Sequence, residues 1–86
     1  MYIIDLINSR SLDGLENVVA EHRRYLEAHR EAGLVLFYGP KTSGAGGIVV
    51  TREASREELD QLIEQDPFVR EGLVERSVTG FVDARS

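Results

Sequence analysis

Residues 22–40 read HRRYLEAHREAGLVLFYGP, and the change of pattern inside this stretch decides the fold. Its first part continues a helical stripe in which apolar residues recur at Leu15, Val18, Val19, Leu26 and Ala32. Gly33 ends that helix, because glycine adopts the left-handed cap conformation without a steric penalty. Residues 34–38, LVLFY, then form an apolar run of strand length, stopped by Gly39-Pro40. A strand apolar on both faces suits the middle of a sheet or an interface better than an exposed edge. His22 lies within the helical stripe, four residues after Val18 and four before Leu26, so it faces the sheet or a cleft beside it. The same spacing turns Arg23, Arg24 and Glu27 towards water.

On the N-terminal side, residues 2–7 alternate Tyr2, Ile4 and Leu6 against Ile3 and Ile7, the mark of a strand buried on at least one face. Residues 8–14 are polar, with Ser11 and Asp13 as candidate helix caps and Glu16 placed three residues after Asp13, as a capping box requires. On the C-terminal side, residues 41–47 (KTSGAGG) form a glycine-rich connection to a β-branched strand starting at Ile48, which predicts a hairpin with a long, mobile tip. Ser55 and Glu58 form a second capping box, opening a helix whose apolar face is Leu59, Leu62 and Ile63. Asp66 caps a further turn with Pro67 at its first position. Residues 73–82 close the chain as a strand with Val74, Val78 and Val82 on one face.

The order is βαββαβ, an α+β arrangement of the ferredoxin-like kind, and right-handed crossovers put both helices on one face of a four-stranded antiparallel sheet. The other face carries apolar residues, so a homodimer that buries it is expected. At 86 residues the chain reads as one domain, 1–86, whose core buries only roughly 60 to 65% of the unfolded surface.

Composition narrows the function. There is no cysteine, which removes disulfides, thiolate nucleophiles and thiolate metal sites together. A net charge of -5 opposes nonspecific binding to nucleic acid, because phosphates require a basic surface. No apolar run approaches the about 20 residues that span a bilayer, and Met1 leads directly into strand-like sequence without a basic region or cleavage site. A cytoplasmic protein with no membrane partner is the expectation. His22 and His29 are two helical turns apart, about 10 Å along the axis, too far to share one ion, so no metal site is expected. The glycines at 44, 46 and 47 fit neither the P-loop nor the dinucleotide fingerprint, and Ser43 lacks the surroundings of a nucleophile elbow.

With its helix histidine His22, the Gly33 stop, Gly39-Pro40 after the second strand, Gly46-Gly47 at the start of the third and the late Asp66-Pro67-Phe68, the chain resembles the YCII-like family over nearly its whole length. The resemblance implies a dimeric ferredoxin-like α/β-barrel, related in fold to muconolactone isomerase. It also implies an active site built on a histidine and an aspartate, which fall here on His22 and Asp66, and turnover of small, often aromatic or lactone-like metabolites. The loop between Pro40 and Ile48 is compact, so contacts borne by a longer loop would be missing.

A histidine on an apolar helix face is commonly a hydrogen-bonded core residue, and Asp66 has a sufficient structural role as a cap. Both roles are compatible with chemistry, because a carboxylate has two oxygens and an ordinary imidazole titrates near about 6.5. The expected activity is therefore of lyase or isomerase type, with His22 and Asp66 as the catalytic pair and Tyr38, Gly39, Pro40, Gly47 and Phe68 contacting a small-molecule substrate, without cofactor or metal. The alternative is a noncatalytic metabolite-binding or protein-interaction module of the same fold.

Overall fold

The computed structural model describes residues 1–85. Strand β1 (Tyr2–Asn8) leads to helix α1 (Glu16–Glu31), the hairpin of β2 (Val35–Pro40) and β3 (Gly46–Thr51), helix α2 (Arg56–Glu64), the single-turn α3 (Pro67–Arg70) and β4 (Val74–Gly80). The strands form one sheet in the order β2-β3-β1-β4 with every neighbouring pair antiparallel. This is the ferredoxin-like α+β architecture expected from the element order.

One face of the sheet is covered. Ile4 and Leu6 of β1, Val49 of β3 and Val35 of β2 pack with Leu26 of α1, Leu34 and the α2 residues Leu59, Leu62 and Ile63 in a single buried cluster. The apolar stripes read from the sequence supply this core, except that Ala32 lies exposed as the α1 C-cap and only Leu26 of α1 is fully buried. The N-terminal half of α1 is half-buried at Val18 and Val19 and leaves open space against the sheet.

The helix ends differ in how they are held. At the α1 C-terminus Gly33, with φ of +91°, donates to the Arg30 carbonyl while Leu34 N–H donates to His29, the paired bonds of a Schellman motif. The Ser55 capping box forms as expected, with Ser55 Oγ accepting from Glu58 N–H and Glu58 reaching back to Ser55 N–H. The proposed Asp13 capping box does not form. Leu15 is the α1 N-cap without a side-chain bond, and Ser11 Oγ instead accepts from Asp13 N–H, so a local turn uses the groups a cap would need.

Three further sequence expectations are corrected. β2 is an edge strand, not a central one, because β1 and β3 occupy the middle of the sheet; its second apolar face is Phe37, 65% exposed on the uncovered side. The hairpin tip is shorter than KTSGAGG suggests, since Gly46 and Gly47 already pair within β3 and the Lys41 and Gly44 amides donate inside the turn. Gly46 must be a glycine: a Cβ there would stand 1.8 Å from the Leu6 carbonyl oxygen. β4 ends at Gly80, leaving Val82 outside the sheet and 78% exposed. None of the helices among the described residues is long and apolar enough to cross a membrane.

Candidate active site

Asp66 is a cap before it is anything else. Its Oδ1 accepts the Phe68 N–H at 2.9 Å, with Pro67 at the first helical position, and this turn of α3 buries the carboxylate until only 3% of the residue is exposed. Helix α1 passes directly over it. His22 Nδ1 lies 2.7 Å from the same Oδ1, although the two residues are 44 positions apart. An ionised carboxylate can only accept, so His22 Nδ1–H donates and the neutral ring carries its lone pair on Nε2. Phe68, placed by the cap, stacks on the imidazole with ring centroids 3.8 Å apart and planes within 5°. The ring is thus fixed in tautomer by Asp66 and in plane by Phe68.

Tyr25 secures the helix that carries His22. Its hydroxyl donates to the Leu62 carbonyl at 2.7 Å near the end of α2, and its ring meets His29 edge to face. Burial, assisted by the Asp66 carboxylate and opposed by Arg70, pushes the Tyr25 hydroxyl up to about 12. His29 packs its ring against Tyr25.

Beside His22 opens a cleft of about 440 Å³ between the N-terminal half of α1, the hairpin and the core strands. That size lies within the range of about 300 to 1,000 Å³ typical of small-molecule sites. Its walls include Leu6, Val19, Leu26, Val49 and Phe68, and the expected contact residues Tyr38, Gly39, Pro40 and Gly47 all border it. Asp66 does not; it stands behind the imidazole, next to the core. Among the described residues Nε2 has no hydrogen-bond partner, and it retains solvent access. The Tyr38 hydroxyl donates to Glu27 at 3.2 Å, and partial burial followed by that carboxylate raises its pKa, with Arg30 and Arg23 acting in the opposite sense.

A profile described as the YCII-related domain matches residues 2–82. The chain belongs to the YCII-related family. No curated protein matches its sequence. Among solved structures, this YCII-related chain is similar to 5-chloro-2-hydroxyhydroquinone dehydrochlorinase (TftG) from Burkholderia phenoliruptrix AC1100, determined in complex with 2,5-dihydroxybenzoquinone. The TM-score is 0.78 at 23% identity, over 99% of this chain and 97% of the other. At that identity the likeness establishes the shared fold.

The cleft is also lined by residues that the sequence pattern does not single out. Leu12, assigned to a polar connection, lines the cleft. Arg23 and Arg30 line it as well; Arg23 is solvent-exposed, as helical spacing predicts, and still borders the cleft, while Glu27 is half-buried and accepts from Tyr38. The available signal was position: Arg23 is about 100° round the helix from His22, at the margin of the apolar stripe. Ser43 serves the hairpin turn, accepting from Ala45 N–H. Among the described residues no cluster of three or more His, Cys, Asp or Glu side chains could hold a metal ion.

Proposed function

We propose that this YCII-related protein is a small-molecule enzyme of lyase or isomerase type, with His22 as the proton-transferring residue and Asp66 as its positioning partner. The observation that carries the reading is the 2.7 Å bond from His22 Nδ1 to Asp66 Oδ1, which leaves Nε2 basic at the margin of the cleft. In a productive complex Nε2 takes a proton from the ligand, and Asp66 stabilises the resulting imidazolium. The electron pair of the broken bond stays on the ligand. It either shifts a double bond, with the proton returned elsewhere, or expels a leaving group. The structural neighbour's dehydrochlorination, formally a loss of HCl, is a reaction of the second kind, which supports a small hydroxylated ring as the first substrate class to assay.

The experiment is a screen of hydroxylated and chlorinated hydroquinones and of small lactones, followed by His22→Ala on any substrate found. Loss of turnover by about 100-fold or more in a folded variant is expected, since general acid–base catalysis contributes on that order. Near wild-type turnover in His22→Ala overturns the assignment. Saturable binding without turnover across the screen favours the metabolite-binding module instead. The same proposal places two copies face to face through the uncovered side of the sheet, where Phe37 and Ile7 are 65% and 40% exposed.

A further inference from the structure

The cleft beside His22 has a charge pattern that proton transfer alone does not require. The chain holds 15 acidic residues against 10 Lys and Arg, yet no carboxylate side chain borders this cleft, and two arginines do. Arg52, Arg56 and Arg70 each sit within ion-pair distance of a carboxylate elsewhere on the surface. Arg23 and Arg30, by contrast, have no hydrogen-bond or ion-pair partner among the described residues, and the intervening Glu27 is engaged by the Tyr38 hydroxyl. The two guanidinium groups project from positions two helical turns apart, about 10 Å along α1, on long side chains able to converge. Across the cleft Val49 of β3 and Phe68 of α3 give an apolar wall, and Val19 and Leu26 line it from α1 itself.

We propose that Arg23 and Arg30 are the specificity-determining residues of this cleft and that its ligand is a small, ring-sized organic carboxylate. The guanidinium groups grip the carboxylate through paired N–H donors, and the apolar body lies against the opposite wall beside His22. A protein of net charge -5 repels anions in general, so a local basic wall is what admits one. A phosphate ester is the less suited occupant. The glycine-rich turn that would cradle it has committed its amides, with Lys41 N–H donating to Gly46, Gly44 N–H to Lys41 and Ala45 N–H to Ser43. The inference narrows the substrate class of the site proposed above to rings that carry a carboxylate, and only the part played by His22 rests on that reading.

The test is NMR titration of the whole protein with benzoate, its neutral isostere benzamide, and phenyl phosphate. Benzoate is expected to shift His22, Val19 and Phe68 signals saturably, and to bind about tenfold more tightly than benzamide, as a charge-assisted pair should. Both arginines are exposed, so the double variant R23Q/R30Q keeps the core and is expected to lose that preference, with benzoate and benzamide binding alike. The His22→Gln variant is expected to retain the preference, which separates this inference from the catalytic one: loss of turnover with the preference intact leaves the anion wall standing. Equal binding of benzoate and benzamide to the wild type overturns the proposal. So does a preference that survives in R23Q/R30Q, the absence of saturable shifts with benzoate, or phenyl phosphate binding tighter than benzoate through the amides of residues 44–47.

Discussion

At the scale of single residues, Asp66 has two jobs that mutation can separate. As a cap it accepts the Phe68 N–H, and as a partner it accepts the His22 Nδ1–H, both on Oδ1. Asparagine offers an amide oxygen for both bonds without the charge that stabilises an imidazolium. Asp66→Asn is therefore expected to unfold in urea within about 1 kcal/mol of the wild type, whereas Asp66→Ala loses about 1 to 2 kcal/mol with the cap and leaves a half-buried imidazole N–H unpaired. Turnover of any substrate should fall in both variants. Equal stability losses would show that the charge of Asp66, not its oxygen, holds α3. The pair was legible in the sequence because each member had a local signature, a histidine within an apolar stripe and an aspartate before proline, and the family resemblance joined them. Arg23 and Arg30 were not legible in this way. Helical spacing sorts residues into inside and outside, and a side chain on the margin can be solvent-exposed and still border a cleft.

At the scale of elements, the placement of α1 decides whether His22 reaches Asp66, and Tyr25 ties that helix to the end of α2. The Tyr25 pKa is raised in the folded state, from 10.0 to about 12, so its neutral form is favoured by folding. The stabilisation is complete below the unfolded tyrosine value and is lost as pH climbs towards about 12. Alkaline melts are expected to show a steep fall in Tm across that window that Tyr25→Phe lacks, together with a lower Tm for the variant at neutral pH from the missing bond, worth about 1 kcal/mol. A tyrosinate absorbance titration should show Tyr25 ionising near 12. The hairpin rests on Gly46 in the same way. A Cβ at that position meets the Leu6 carbonyl at 1.8 Å, so Gly46→Ala is expected to lose on the order of 3 kcal/mol in urea unfolding, by forcing β3 away from β1. Gly39→Ala, where a Cβ meets nothing within 4 Å, is the control that should fold normally. Element type and order were legible from periodicity, caps and glycine stops. The place of β2 was not, because an apolar run records that both faces seek cover without saying what covers them.

For the whole molecule, the sheet has one covered face and one bare one. Register puts Ile3, Val50 and Phe37 in a row across the bare face, with Ile48 and Ile7 beside them. Asp5 sits among them with Lys41 Nζ at 2.6 Å from its Oδ1, an ionic contact rather than a well-aligned hydrogen bond. A chain of 86 residues has little core to spare, and an apolar face of this kind gains most by meeting its own copy about a two-fold axis. The face-to-face pair proposed for this protein makes stability depend on concentration, since folding and association are then one equilibrium. Light scattering at micromolar concentration is expected to give twice the chain mass, and Tm to rise with protein concentration. Phe37→Asp should return the monomer mass and abolish the concentration dependence while leaving the covered core intact, because Phe37 is 65% exposed within the single chain. A wild-type monomer under these conditions, or a Phe37→Asp dimer as stable as the parent, would assign the bare face to something other than a second copy.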